Sequence, residues 1–523
     1  MSDPNQSSQD KLANNADEAV HTLVTLPGIK RDGTMLEGEY CSDGQWVRFQ
    51  RGKARKIGGY RRITDGLSGP IRKFSLWSRK YLNVCNAFSA QGIESILTDN
   101  NMVGNDITDR TPTGFVTSDL NGWTVDTQYD DAVGTAGTIV LAHCNQSMLN
   151  IDDDTTTKPY WALANSGTSQ FQVIADAPAV SGGVFSLAPY TVLFGSDGFV
   201  AWSDVNQPQV WSGSANFGDA GSDRVTGSKI VAGLPLRSGK LAALLWSLDS
   251  VIRMDYVGGQ SIFNFSTIST QSSILSQHSV IEYDGIYFWI GVDRFMYFDS
   301  AAHELPNDMC QNWFFDHLNY EQRQKVWVSK VPRFGEIWWF YPRGDATECT
   351  HAVIYNVRMK VWYDTELTRS AGAYSQVRVR PVWANNTPEF SGNYGLYQHE
   401  VGTNAVVGDN ETAIYSSFTT QNFGLPTGGV GDSQNGLSRW TRLTRVEPDF
   451  LQHGEMNCTV LGYEFAQSPP EDESSYAFLP EDGKIDMREQ RRHILLRFES
   501  NVLNGYYEAG KVIIHTEPGD NRG

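Results

Sequence analysis

The stretch "SVIEYDGIYFWIGVDRFMYFD" (279–299) decides the fold class of this 523-residue chain. Three short runs of Ile, Tyr, Phe and Trp are separated by an Asp-Gly pair and by a second Gly/Asp turn. Aromatic and β-branched residues fit a pleated, half-buried surface, and Asp-Gly supplies the positive φ that a tight hairpin needs. The stretch reads as a small antiparallel sheet. Similar units recur as "TIVLAHCNQSMLNIDDD" (138–154), "YTVLFGSDGFVAWSD" (190–204), "KLAALLWSLDSVIRMDYVG" (240–258) and "GEIWWFYPRGDATECTHAVIYNVRMKVWYD" (335–364). Fainter copies lie at 79–97 and 379–402.

Taking one strand of each unit as a marker gives Tyr81, Ile139, Tyr190, Leu241, Ile286, Ile337 and Val382. The spacing of about 45–58 residues is that of propeller blades. A lone hairpin unit cannot bury both faces, so a ring of such sheets explains the recurrence better than a β-sandwich pair. The expected fold is all-β, a β-propeller of six or seven degenerate blades over 71–410. The repeat has no WD dipeptide and no paired glycines of the kelch type.

The flanks do not repeat. Residues 1–20 read as a flexible polar arm, and 21–70 as an N-terminal β segment. Residues 411–523 read as a β module with the Gly-rich loop 424–438 and a polar insertion, "SPPEDESS" (468–475). The expectation is that the two flanks pack together as a separate sandwich-like module. "YEQRQKVW" (320–327) is the best short helix.

The formal net charge of −18 argues against a surface built to grip phosphate. The six cysteines are dispersed, with no CxxC and no zinc spacing, and are expected as buried free thiols. The N-terminus carries no apolar signal core, and no run approaches the roughly 20 apolar residues of a membrane helix. A soluble protein without a membrane-spanning segment is expected.

Chemistry-bearing motifs are weak. "GLPLRSGKL" (233–241) has the wrong glycine spacing for a phosphate loop and ends on Leu241 instead of a hydroxyl. "DDDTTT" (152–157) lacks the central glycine and the bidentate acid of a calcium loop. There is no HExxH and no G-x-S-x-G. The aromatic runs "YFWI" (287–290) and "IWWF" (337–340) suit core strands better than a sugar platform. No catalytic, cofactor-binding or metal-binding residue is assigned. The one concentrated charge is "VRFQRGKARKIGGYRR" (47–62), with Arg48, Arg51, Lys53, Arg55, Lys56, Arg61 and Arg62. It reads as a solvated hairpin face or as an edge that docks an acidic partner.

"LPGIKRDGT" (26–34) followed by "QWVRFQRGKARKIGGY" (45–60), the middle region 233–299, and "RVEPDF" to "RFESNVLNGYYEAGKVIIHTEPGDNR" (445–522) occur in that order. In these stretches the chain resembles the tail hub proteins of short-tailed bacteriophages, also called tail nozzle or packaged-DNA stabilisation proteins. The resemblance implies a non-enzymatic virion component assembled in the host cytoplasm: a homo-hexameric ring with a propeller in each subunit. Such a ring sits below the portal and its head-to-tail adaptor and extends the DNA channel. It retains the genome until ejection and carries tail fibres or spikes. Double-stranded DNA would pass without sequence-specific binding. The rival expectation is a propeller-fold phage enzyme, or a receptor-binding protein, acting on host surface polysaccharide.

Overall fold

The computed structural model describes residues 19–519, apart from 35, 38, 80–81, 99–105, 150–154, 213–217, 238–239, 376–378, 389–391, 424–439, 467 and 471. Most of the N-terminal arm and the Gly-rich 424–438 stretch lie outside the described residues.

Seven antiparallel sheets, arranged in chain order, form the ring of a β-propeller. Blades 1 to 6 are four-stranded and open with the inner strands Ile71–Arg79, Gly122–Tyr129, Gly183–Leu187, Ile230–Pro235, Ile281–Tyr283 and Trp327–Val331. Blade 7 opens with Ala371–Ser375 and continues through Arg380–Ala384 and Tyr394–His399. Its fourth strand is Tyr60–Leu67, running antiparallel to Tyr394–His399 with His399 opposite Tyr60. An early strand thus completes the last blade and closes the ring. The stretch read from sequence as the N-terminal segment therefore contributes to both parts of the molecule. The blade 7 and blade 1 inner strands adjoin, and Ile63, Leu67, Ile71, Phe74, Val382 and Leu396 share one core between them.

Six of the seven sequence markers fall in, or one residue before, the second strand of a blade. Tyr81 is outside the described residues, directly before the second strand of blade 1, Leu82–Ser89. These strands are buried on both faces, which is why they read as continuous apolar runs: Tyr190–Phe194 and Ala242–Ser247 are buried at every position. "IWWF" and "YFWI" are core throughout, each residue 3% exposed or less.

The flanks fold as a sandwich. One sheet runs in the order 485–491, 441–453, 506–518, 53–56, 47–50, with Ala19–Leu23 also paired to 506–518. The other runs 43–45, 416–419, 493–500, 456–463, 472–478. Between them Phe418 packs on Tyr507 at 5.7 Å and Phe450 on Phe498 at 5.0 Å between ring centroids. This core continues without a break into blades 5 and 6.

One local expectation is refined. Among the described residues the α-helix is Gln311–His317, and the candidate stretch holds a 3-10 helix, Tyr320–Lys325. The Asp32 carboxylate accepts from the Asn312 and Trp313 amides, each at 2.8 Å, so the helix is capped by a residue 280 positions away. The polar insertion runs into an edge strand, Asp472–Phe478, whose exposed first residues Asp472 and Glu473 discourage further pairing. All six cysteines are buried and unpaired. Among the described residues no helix is long and apolar enough to cross a membrane.

Candidate functional site: basic run and axial cavity

The basic run does not form one face. Arg48 and Lys56 point inward, at 1% and 2% exposure. Arg55 hydrogen bonds Gln50 and lies over the Tyr506 ring. Arg61 donates to Gln398 at 3.2 Å, and Arg62 pairs with Asp65 at 3.0 Å, both in blade 7. Only Arg51 and Lys53 project from the Arg51-Gly52 turn as an exposed cationic tip, with Lys53 3.5 Å from Glu508. Burial of Arg48 and Lys56 on opposite faces of the hairpin, and the place of Arg61 and Arg62 in a blade 7 strand, separate the seven charges, so they do not form one docking edge.

Arg48 instead joins the two parts of the molecule. Its guanidinium lies 2.8 Å from Glu336 of blade 6 and 2.5 Å from Glu400 beside blade 7, and 3.6 Å over the Phe334 ring. Burial alone would lower its pKa, but the two carboxylates more than offset this and keep it charged. Glu336 also accepts from the Tyr363 hydroxyl at 2.7 Å and the Trp338 indole at 2.9 Å. A buried carboxylate needs its lone pairs satisfied in this way. Burial lowers Lys56 to about 8, and its ammonium has no hydrogen-bond partner among the described residues.

The seven inner strands surround an axial cavity of about 380 Å³. It is closed at one end. Gln277 donates to the Gly182 carbonyl at 3.0 Å, and the Val328 amide donates to the His278 carbonyl at 3.0 Å. These contacts run from the start of blade 3 to blade 6, and the segment crosses the ring like a chord. A pocket of only about 20 Å³ lies beyond it, sharing Gln277 and His278 as a wall.

The cavity is charged although its outer wall is aromatic. At the mouth Glu282 lies 3.2 Å from Lys330 and 3.5 Å from Arg237. Burial works to raise Glu282, but the Gly285 amide and these cations hold it below the usual carboxylate range. Arg72 pairs at 2.7 Å with Glu348, which Lys325 also contacts at 2.8 Å. Deeper, Lys73 faces Asp126, whose carboxylate accepts from the Ser186 amide at 2.9 Å and the Thr127 amide at 2.8 Å. Burial raises Asp126 and lowers Lys73, each partly offset by the other. His278 is held well below its ordinary value by burial and by Lys73, and stays neutral. Among the described residues no cluster of three His, Cys, Asp or Glu side chains could hold a metal.

The sequence reading missed Glu336, Lys73, Asp126 and His278. The usable signal was a charge inside an apolar strand, as in "GEIWWFY" (335–341) and "IRKFSLW" (71–77).

Seven radial sheets about a central cavity define a β-propeller, here carrying a flank-built sandwich. No protein-family description matches the chain, and no curated protein does. Among solved structures, the WD40 domain of Toxoplasma gondii coronin is similar over 69% of this chain and 89% of its own, at 11% identity and a TM-score of 0.38. The assignment rests on the sheet order of this chain itself.

Proposed function

We propose that this chain is a structural protein of a virus particle, the tail nozzle or hub of a short-tailed bacteriophage. Six copies form a ring below the portal and adaptor, retain the packaged genome and support fibres or spikes. The observation that carries the reading is where its end stretches meet. Residues 26–60 and 445–518, two of the three regions in which the sequence resembles that family, build mainly the sandwich, which Arg48 fastens to blades 6 and 7. A propeller held on such a base suits a rigid assembly block.

The axial cavity is blind and holds about 380 Å³, whereas a DNA duplex has a major groove alone about 12 Å wide. DNA therefore passes through the lumen between subunits, and not through a propeller. The net charge of −18 keeps such a wall from holding phosphates. Quantitative mass spectrometry of purified particles tests the reading. About half the copy number of the portal protein is expected, as for a six-fold ring on a twelve-fold one. Absence from particles would overturn it in favour of a free enzyme.

A further inference from the structure

We propose that the blind axial cavity is a binding site for a small organic anion, a carboxylate carried on a six-membered ring, held by Lys73 at depth and Arg237 at the mouth. The inference stands apart from the nozzle reading, and either can fail alone.

Size comes first. A volume of about 380 Å³ falls inside the roughly 300–1,000 Å³ of small-molecule sites. The floor made by Gln277 and His278 stops anything longer from threading through.

Charge comes second. The lining holds the cations Arg72, Lys73, Arg237 and Lys330 against the acids Asp126 and Glu282, inside a chain whose net charge is −18. Arg72 is neutralised by Glu348 and Lys330 by Glu282. Lys73 makes neither an ion pair nor a hydrogen bond among the described residues and meets Asp126 only through space. Asp126 is turned towards the Ser186 and Thr127 amides, which leaves the ammonium's donors open to the cavity. Arg237 is 67% exposed and only 3.5 Å from Glu282, a contact a stronger carboxylate partner can share. A half-buried ammonium with open donors recovers its lost hydration from an anion better than from a neutral guest.

Shape comes third. Tyr374 is the partly exposed aromatic of the lining, with Phe185, Tyr287 and Trp327 buried at 4% exposure or less, and its ring suits the flat face of a guest. A sugar acid and an aromatic acid share this chemistry.

Saturation-transfer NMR and calorimetry on the full chain test the site, with D-glucuronate and benzoate as probes and D-glucose and benzyl alcohol as neutral counterparts. At least one carboxylate should bind with a Kd on the order of 1 mM or tighter, its counterpart at least tenfold more weakly. Which carboxylate binds separates the sugar source from the aromatic one. Lys73→Met should weaken binding at least tenfold and Arg237→Gln severalfold. Arg237 is exposed enough for its variant to fold, and it decides alone if Lys73→Met does not. No binding by either carboxylate, equal binding of a neutral counterpart, or affinity unchanged in Arg237→Gln would overturn the proposal.

Discussion

Blades 1 to 4 and the block formed by blade 6 with the sandwich use the same strands but different connectivity. In the first, each core patch is shared by two consecutive blades: Val192, Phe194, Leu245 and Met254 between blades 3 and 4, or Phe88, Trp123, Val140 and Cys144 between blades 1 and 2. In the second, one core runs from Leu23 through Trp338 to Ile514. Ala19–Leu23 pairs with the strand that holds Thr516, and Arg48 crosses to Glu336 and Glu400. A ring of near neighbours loses stability piece by piece, as repeat proteins do, whereas a core closed by both chain ends is gained or lost together.

The largest effect should come at the junction. Arg48→Met leaves Glu336 buried without its cation and should cost about 3–5 kcal/mol in chemical denaturation. Adding Glu336→Gln should recover part of that loss, because the unpaired charge is then gone. A single-variant cost below about 1 kcal/mol would mean that the junction does not hold the two parts together.

The next effect belongs to blade 2. His143 lies at 0% exposure between the carbonyls of Thr157 and Val180, and burial lowers it from 6.5 to about 4. It is neutral in the fold but takes a proton in the unfolded chain. Its contribution is therefore complete above pH 6.5 and is lost as pH falls towards 4. At full extent this is worth about 3 kcal/mol. Buried His278 and His399 act in the same direction. His143→Gln should flatten the fall of melting temperature between pH 6.5 and 4, and an unchanged slope would refute the assignment.

A smaller, local effect is expected in blade 3. Gly198 has φ +62° and a Cβ there would lie 2.1 Å from the Thr226 carbonyl oxygen. Gly198→Ala should cost about 1–3 kcal/mol, with amide exchange rising in blade 3 and little in the sandwich. The smallest effect is at the cationic tip. Arg51→Ser with Lys53→Ser should change stability by less than about 0.5 kcal/mol. If the tip meets an acidic adaptor surface, the pair should slow association and weaken its salt dependence, readable by stopped-flow mixing.

The same contrast explains what was legible in sequence. Blade strands announce themselves because each partner is a hairpin away, so aromatic runs and Asp-Gly turns suffice, as at Ile281–Phe298. The closing strand Tyr60–Leu67 was hidden because its partner, Tyr394–His399, lies more than 300 residues later. The helix at Gln311–His317 was hidden for the same reason, its cap being Asp32. At the basic run, residue type was visible but orientation was not. Register sets Arg48 opposite Arg55 and Lys56 opposite Val47, on opposite faces of the hairpin, and both are buried because packing covers both faces, whereas Arg51 stands in the exposed turn. The axial cavity had no linear signature, since its charges come one or two at a time from separate blades.

Hydrogen exchange followed by mass spectrometry on the full chain tests the central claim that both chain ends and blade 6 form one cooperative unit. The amides of Val47–Gln50, Glu336–Tyr341 and Tyr506–Pro518 should exchange together, at the slowest rate in the protein, while blades 1 to 4 open earlier and separately. Exchange of Tyr506–Pro518 well before Glu336–Tyr341 would contradict it, leaving the sandwich as an appendage and the propeller as an independent ring.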